Sequence, residues 1–397
     1  MITGEYPAMQ GGVGDYTRQL SQALAARRVD VHVLTDVNAG GDHLRAPAAA
    51  FEPTVHPIID DGGWELWART LELCRQLRPD AVHIQYQSAA YGLHPAVNYL
   101  PWRLRLMRGR PRVATTFHDL RFPYLFPKAG PLRWRAVLHL AKGSDANVIT
   151  NPVDWMRLMR AGLGNRLVPI PIGSNIHCQP PAGYDRARQR TRWGAGPDTW
   201  LLAYFGFMNA GKGGETLIRC LARLIEAGRP ARLLMVGGQV GASDPTNRAY
   251  LERVERLIAE LNLGAYVHWT GFISNEEVSA NLLAADCAVL PYREGASLRH
   301  GSLMAALAHG LPIVSTRPAD EVREAAGLFP LLQDGRSALL VAPDDPAGLA
   351  EAVTRVMSDH ELRVRLAQAA RDLAREFTWD TIAERHIALY QRLGISL

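Results

Sequence analysis

Short apolar runs alternate with longer amphipathic stretches along the whole chain, and this pattern constrains the fold more than any other feature. Runs rich in β-branched residues are typical of buried strands, whereas the stretches between them repeat apolar residues with helical spacing. We predict strands at 31–35, 81–87, 113–118, 147–150, 167–172, 200–205, 231–236, 267–270, 287–290, 313–316 and 339–342. Because strands that alternate with helices form parallel sheets covered on both faces, the predicted class is α/β with doubly wound sheets.

The length of the chain, 397 residues, favours two domains, because one hydrophobic core seldom serves so many residues. Residues 179–199 are rich in proline, glycine and arginine and have little apolar periodicity, so we place the connection there. We expect Rossmann-like domains at 1–178 and 200–376, facing each other across a cleft, and a helix within 377–397 that packs on the first domain. Only two residues stand where the first strand belongs, so that strand is either very short or begins upstream.

The composition argues against several classes of protein. No apolar run approaches the roughly 18 residues that span a bilayer, and the N-terminus lacks the order of a signal peptide. The four cysteines are far apart and form no metal-binding pattern, which indicates free thiols in a reducing cytoplasm. A net charge of +5 suits a phosphorylated ligand, and no nucleic-acid-binding module is recognisable. We therefore expect a cytoplasmic protein without a nucleic-acid partner.

A glycine-rich loop, Gly11-Gly12-Val13-Gly14, precedes a helix that we predict to begin near Asp15. Glycines let backbone amides approach a ligand closely, and a helix N-terminus favours negative charge, so this loop is suited to a phosphate or a sugar oxygen. The loop lacks the third glycine of a dinucleotide fingerprint, which leaves a nicotinamide dehydrogenase as a minor alternative. The plain alternative is a turn in which Asp15 caps the helix.

Several motifs occur in an order that resembles glycosyltransferase family 4. They are Gly11-Gly12-Val13-Gly14, Thr116-Phe117-His118-Asp119, Ile170-Pro171-Ile172-Gly173, Gly206-Phe207 with Lys212-Gly213, Glu294-Gly295 with Gly310-Leu311-Pro312, and Phe377-Thr378-Trp379 followed by Tyr390. The resemblance implies a GT-B fold and a retaining enzyme. Such an enzyme moves a sugar from a nucleotide-diphosphate sugar, held mainly by the second domain, to a hydroxyl of a sugar or lipid-linked acceptor, held mainly by the first.

The resemblance also implies roles for individual residues. The family's histidine that matches His118 lies near the transferring sugar, where a neutral imidazole could donate a hydrogen bond to a hydroxyl. Lys212 could reach the diphosphate, and Glu294 resembles the glutamate that binds the sugar. Further donor-site candidates are Gly11, Gly12, Gly14, Gly206, Ser297, Leu298, Arg299, Gly301 and Ser302, and acceptor-site candidates are Asp15, Tyr16 and Asp119. Asp119 could instead orient His118. The plain alternatives are a structural histidine at a strand end and a solvated lysine at a helix start.

Two features depart from the family pattern. Phe207 stands where the family usually has an arginine that binds phosphate. The glutamate that binds the ribose is absent, since its place falls on Ser302 or Ala305 in a segment about three residues longer than usual. We expect Arg299, with the amides of residues 301–303, to supply the positive charge lost at Phe207, although Ser302 would equally suit a helix cap.

The expected mechanism is same-face substitution, because no nucleophile stands beside the expected scissile bond. Lys212 and Arg299 would stabilise the leaving diphosphate, whose oxygen takes the acceptor proton. No Asp-x-Asp motif calls for a metal ion, so we expect no cofactor and no metal. The two departures keep open a degenerate GT-B protein that binds nucleotide without turnover, and a nucleotide-sugar epimerase is a further alternative.

Two segments bear on the acceptor side. Residues 102–112 carry five arginines beside Trp102, which would suit peripheral contact with the anionic inner face of a membrane. We favour the alternative of a helix whose Leu100, Leu104 and Met107 face the core. Residues 121–135, with Phe122, Tyr124, Phe126 and Trp134, are predicted to form an irregular loop.

Overall fold

The computed structural model describes residues 1–9, 11–40, 52–60, 62–123, 130, 132–238, 245–324 and 327–396. These residues form two compact units. The first unit comprises Met1–Gly173, Gly327–Phe329 and Thr378–Leu397. The second comprises Ser174–Ala326 and Pro330–Phe377.

The first unit contains a parallel sheet that has a single residue in place of its first strand. Its strands are β1 (His32–Asp36), β2 (Thr54–Ile59), β3 (Ala81–Tyr86), β4 (Arg112–Phe117), β5 (Ala146–Ile149) and β6 (Leu167–Pro169). Ile2 forms parallel bridges to both Leu34 and Ile84, so the order is β2-β1-Ile2-β3-β4-β5-β6. This is the Rossmann order, with the strand sequence reversing between Ile2 and β3.

The second unit repeats this topology with complete strands. They are β7 (Trp200–Phe205), β8 (Ala231–Val236), β9 (Val267–Trp269), β10 (Cys287–Leu290), β11 (Ile313–Thr316) and β12 (Leu339–Val341). All pair in parallel in the order β12-β11-β10-β7-β8-β9, which reverses between β7 and β10. The predicted α/β class with two Rossmann-like sheets is therefore confirmed.

Every predicted strand is present, and all but one end within one residue of the expected bounds. The exception is β6, which ends at Pro169 rather than residue 172, although the Ile170 amide still donates to the Ile149 carbonyl of β5 at 3.1 Å. The sequence pattern did not reveal β2. That strand lies at the sheet edge, contains Pro57 and leaves most of its side chains partly exposed, so it lacks the apolar run of a buried strand.

Helices cover the sheets of both units. The first unit contains α1 (Gly12–Ala25), α2 (Glu65–Leu77), α3 (Ala96–Leu104), α4 (Leu132–Gly143) and α5 (Pro152–Arg160). The second contains α6 (Arg186–Arg192), α7 (Gly214–Glu226), α8 (Pro245–Glu260), α9 (Asn275–Ala284), α10 (Gly301–Ala308), α11 (Asp320–Glu324), α12 (Pro346–Ser358) and α13 (His360–Ala374). The final helix, α14 (Trp379–Arg392), returns to the first unit.

The helix α14 packs against α1 within the first unit. Trp379 and Ile382 share a buried apolar cluster with Leu20 and Leu24 of α1. At the surface, Arg27 Nη1 donates to Asp380 Oδ1 at 2.9 Å. The predicted closing helix is thus present, with Thr378 accepting a hydrogen bond from the Thr381 amide as its N-cap.

The stretch 179–199, predicted as the connection, lies in the second unit and contains α6. Arg190 is almost fully buried and donates to Asp286 Oδ2 at 2.7 Å and to the Ala284 carbonyl at 3.0 Å. The helix α6 is held by this buried ion pair rather than by an apolar face, which is why apolar periodicity did not reveal it.

The arginine-rich stretch 102–112 begins as the helix that we favoured, but the helix α3 ends at Leu104. Leu100 and Leu104 are fully buried in α3, whereas Met107 lies beyond the helix and is only partly buried. Trp102 is 38% exposed and Leu106 is 76% exposed. Within the described ranges, no helix combines the length and apolar character that crossing a bilayer requires.

The segment predicted as an irregular loop at 121–135 differs at its end. Tyr124 and Phe126 lie outside the described residues. Trp134 belongs to α4, which begins at Leu132, so this part of the prediction was wrong.

Candidate active site

Ligands of doubly wound sheets bind at the carboxyl ends of the strands, where the strand order reverses. In the second unit this point lies between β7 and β10. The loops that follow these strands carry most of the predicted donor-site residues. In the first unit the corresponding point lies between Ile2 and β3, beside the glycine-rich loop.

The loops after β7 and β10 are locked together around Lys212. The Arg293 amide donates to the Gly211 carbonyl at 2.9 Å. Gly213 has a φ of +70°, and a Cβ there would overlap the Pro291 carbonyl oxygen, so only glycine fits this close approach. Lys212 therefore stands on a fixed turn at the carboxyl edge of the sheet.

The ammonium group of Lys212 lies 4.7 Å from the ring centroid of Tyr292, a cation–π contact. Tyr292 is buried, stacks on His300 with 3.9 Å between ring centroids, and shares a 2.7 Å hydrogen bond with Ser302 Oγ. Burial lowers the pKa of Lys212 to about 8. Desolvation, with the positive charges of Lys212 and Arg299, lowers the pKa of His300 to about 3. Lys212 is therefore not the solvated lysine of the plain alternative.

The N-terminus of α10 lies at the end of the same loop. His300 occupies the N-cap position, and no side chain caps the helix. The Leu303 amide donates to the His300 carbonyl at 2.9 Å, so of the three amides expected to face a ligand this one is already engaged. Ser302 does not cap the helix, since its hydroxyl bonds to Tyr292 instead. Arg299 is exposed, and its guanidinium has no hydrogen-bond partner among the described residues, although its amide donates to Ser297 Oγ. A free cation thus stands one residue before the uncapped end of a helix.

The remaining donor-site candidates lie around this loop. Gly206 has a φ of +113°, and a Cβ there would contact Ser302 at 3.7 Å. Phe207, which replaces the usual arginine, is 48% exposed and lies over Gly238. Glu294 is exposed, and Leu298 packs partly on the core of the second unit.

The glycine-rich loop of the first unit binds a carboxylate of the protein itself. Glu5 Oε1 accepts hydrogen bonds from the amides of Val13 at 2.9 Å and Gly14 at 3.1 Å. The helix begins at Gly12 with Gly11 as N-cap, so Asp15 lies inside its first turn and does not cap it. Both interpretations of this loop therefore need correction, because Glu5 occupies two of the amides expected to face a ligand.

His118 follows β4 and is oriented from two sides. Its Nε2 donates to Gln85 Oε1 at 3.0 Å, and its ring packs edge-to-face against Tyr16 with centroids 4.6 Å apart. Burial lowers the pKa of His118 to about 3, so the imidazole is neutral. Asp119 does not orient His118, since its Oδ1 accepts the Arg121 amide at 3.0 Å. Tyr16 is almost fully buried and holds the ring rather than facing an acceptor.

A second layer of buried polar side chains lies in the core of the first unit. His83 shares hydrogen bonds with Tyr390 at 2.6 Å and with Thr116 at 2.8 Å. The ring of His386 lies 5.4 Å from that of His83, and its Nδ1 donates to the Ile382 carbonyl. Sequence analysis singled out none of Glu5, Gln85, His83 and His386. Two sequence signals could have indicated them: Glu5 follows the short first strand, and His83 and Gln85 are polar residues inside the buried strand β3.

The chain matches two family models that divide it as the structure does. Residues 11–173 match "Glycosyl transferase 4-like domain", and residues 185–373 match "Glycosyl transferases group 1". A D-inositol 3-phosphate glycosyltransferase of Nocardioides is 30% identical over 96% of this chain and 85% of its own length. The chain belongs to the group 1 glycosyltransferases. The predicted resemblance and enzyme class are thus confirmed.

Solved structures of other glycosyltransferases share the fold. Sucrose-phosphate synthase from Thermosynechococcus elongatus superposes with a TM-score of 0.69 at 23% identity, over 97% of this chain and 94% of its own. Anabaena HepE, in complex with UDP and glucose, superposes with a TM-score of 0.70 at 16% identity, over 98% of both chains. The predicted GT-B fold of this glycosyltransferase is confirmed.

Proposed function

We propose that this glycosyltransferase transfers a sugar from a nucleotide-diphosphate sugar to a hydroxyl acceptor, with retention and without a metal ion. The observation that carries the proposal is Lys212, a partly desolvated ammonium on a rigid turn where the strand order reverses. Among the described residues, the counterpart of its ammonium is the face of the Tyr292 ring. Burial deprives the Lys212 ammonium of solvation by water, and a bound diphosphate would stabilise that charge instead. The stabilisation would be strongest in the transition state, when the leaving diphosphate gains negative charge.

Arg299 and the N-terminus of α10 support a diphosphate at the same place. An uncapped helix end offers amides and a partial positive charge, and a guanidinium binds phosphate through two parallel hydrogen bonds. Lys212 and Arg299 would together perform the charge neutralisation that a metal ion performs in other enzymes. In the proposed step the acceptor oxygen bonds to the anomeric carbon as the phosphate oxygen leaves from the same face and takes the acceptor proton.

The first unit would contribute His118 to the transferring sugar and the carboxyl edge of its sheet to the acceptor. Because the Nocardioides relative is named for D-inositol 3-phosphate, that compound is the first acceptor to test. We place the reaction in the cytoplasm. The exposed Trp102 and Leu106 beside arginines support peripheral contact with an anionic membrane and a lipid-linked acceptor as a second possibility.

The decisive experiment is a screen of UDP, GDP and ADP and their glucose conjugates. The cognate nucleotide raises the melting temperature, since a ligand in hundredfold excess over its Kd adds about 2.7 kcal/mol of stability. The matching sugar conjugate is then hydrolysed slowly by the wild type and by Lys142→Met, and at least about tenfold more slowly by Lys212→Met. Activity should survive EDTA, and the product anomer should match the donor.

Other outcomes would select the alternatives. Stabilisation by a nucleotide without release of sugar from any conjugate or transfer to any acceptor tested indicates a binding protein. Interconversion of the sugar while it stays attached to the nucleotide indicates an epimerase.

A further inference from the structure

Gln85 lies next to the end of β3 and is fully buried. Its side-chain Oε1 is 3.0 Å from Nε2 of His118, on the neighbouring β4 edge. A carbonyl oxygen only accepts hydrogen bonds, so this contact requires a proton on Nε2. The opposite ring nitrogen, Nδ1, has no hydrogen-bond partner in the described part of the chain.

We propose that Gln85 is a positioning residue that holds His118 as the Nε2–H tautomer, so that Nδ1 accepts a hydrogen bond from a hydroxyl of the transferring sugar. The inference rests on the proposed function and deepens it. It also reverses the direction of the hydrogen bond expected from the sequence, in which the imidazole donates. A ring nitrogen that accepts a hydrogen bond favours a sugar that has a hydroxyl at this position over a sugar that has no hydrogen-bond donor there.

The ring of His118 has little freedom to change this arrangement. Its backbone amide donates to the Tyr86 carbonyl at 3.0 Å, which extends the ladder between β3 and β4. Tyr16 packs edge-to-face against the ring, at an interplanar angle of 79°. With the backbone and one face fixed, the partner of Nε2 decides which nitrogen faces a ligand.

The choice of an amide rather than a carboxylate suits this role. A carboxylate beside Nε2 would stabilise the imidazolium and raise its pKa, whereas an amide leaves the ring neutral. Asp119, the nearest carboxylate in sequence, is instead engaged with the Arg121 amide. Nε2 of Gln85 is buried without a partner among the described residues, an arrangement that weakens the fold and points to a purpose other than stability.

The tautomer can be measured on the free protein, independently of any substrate. Long-range ¹H–¹⁵N spectra of histidine-labelled protein, with His118→Phe to assign the signal, should show the Nε2–H pattern for His118. The Nε2 proton should exchange slowly in the wild type and rapidly in Gln85→Leu. Gln85→Glu should raise the pKa of His118 from about 3. An Nδ1–H pattern, or a titration unchanged in Gln85→Glu, would overturn the inference.

Kinetics with UDP-glucose, or with the sugar conjugate selected by the screen, test the consequence. Gln85→Leu should lower kcat/KM at least about tenfold with little change in the melting temperature, because it removes one unsatisfied donor, Gln85 Nε2, and leaves another, the Nε2–H of His118. Combining it with His118→Phe should lower kcat/KM no further than His118→Phe alone, since Gln85 acts through that ring. The matched control is Asn147→Leu, which removes another buried amide from the same sheet and should leave kcat/KM unchanged.

Independent losses from the two substitutions would overturn the positioning role. If no nucleotide sugar is turned over, the proposed function fails, and the spectra alone still decide the tautomer.

Discussion

The carboxylate of Glu5 occupies the space that a side chain at Gly11 would need. The Glu5 carboxylate accepts hydrogen bonds from two amides in the first turn of α1, so the glycine motif makes room for a contact within the protein. Gly11 is required because of this carboxylate, whereas nothing lies within 4 Å of the Cβ position at Gly12. The two neighbouring glycines therefore differ in purpose.

This difference predicts opposite responses to alanine. Gly11→Ala should displace Glu5 from the helix end and destabilise the protein by about 1 kcal/mol, the usual value of a helix cap. Gly12→Ala is the matched control and should be neutral or slightly stabilising. Urea unfolding measures both. Once Glu5→Ala has removed the carboxylate, Gly11→Ala should cost much less, and fully additive losses would contradict the assignment.

Arg299 should contribute to nucleotide affinity in proportion to a charge-assisted hydrogen bond. Arg299→Ala is expected to weaken binding of the cognate nucleoside diphosphate at least about tenfold, since such bonds are worth about 1.5–3 kcal/mol. Arg256→Ala, which removes an exposed arginine of α8, should leave the Kd unchanged. Isothermal titration gives both constants. Equal affinity of wild type and Arg299→Ala would remove this residue from the donor site.

The contact between Lys212 and Tyr292 predicts a pH dependence of binding. Burial lowers the pKa of Lys212 to about 8, so affinity for the diphosphate should fall as the pH rises above 8 and the ammonium loses its proton. Tyr292→Leu should admit water and move that fall to higher pH. Tyr292→Phe keeps the ring and should retain the wild-type profile. A Tyr292→Leu profile that matches the wild type would show that the ring does not set this pKa.

The buried histidines predict a loss of stability in acid. Burial lowers the pKa of His118 to about 3 and of His386 to about 4, and it lowers that of His83 as well. Below pH 6.5 these histidines bind protons in the unfolded chain but stay neutral in the folded chain. Each histidine therefore lowers the free energy of unfolding by at most about 1.4 kcal/mol for every pH unit. The contribution to stability is complete above pH 6.5 and is lost progressively down to about pH 4 for His386 and about pH 3 for His118.

Urea midpoints at pH 7, 6 and 5 measure this dependence. They should fall steadily, and less steeply in His386→Asn, which removes one of the titrating groups. Equal midpoints at pH 7 and pH 5 would contradict the buried neutral histidines.

Sequence patterns predicted those parts of the fold that local periodicity encodes. The strands β1 and β3 to β12 were predicted from short apolar runs, as expected of strands buried on both faces of a parallel sheet. Periodicity failed for β2, an edge strand with a proline, and for α6, which depends on the ion pair between Arg190 and Asp286. Such elements are stabilised by residues distant in sequence, and these residues cannot be identified from local composition.

The same division holds for the candidate site. The glycines and the basic and histidine residues were visible in sequence because loops at strand ends and helix starts have recognisable residue types. Their contacts were not visible. From the sequence, Ser302 suited a helix cap as well as a donor contact, and Asp119 suited orienting His118 as well as binding the acceptor.

The sequence by itself determined the α/β class, the strands that form the two Rossmann-like sheets, and the family to which the chain belongs. Tertiary structure alone decided that Glu5 fills the glycine loop, that Tyr292 lies against Lys212, and that Gln85 bonds to His118. The physical reason is range. Strand and helix formation follow the spacing of neighbouring residues, whereas a hydrogen bond or a cation–π contact depends on positions that only the packed sheets define.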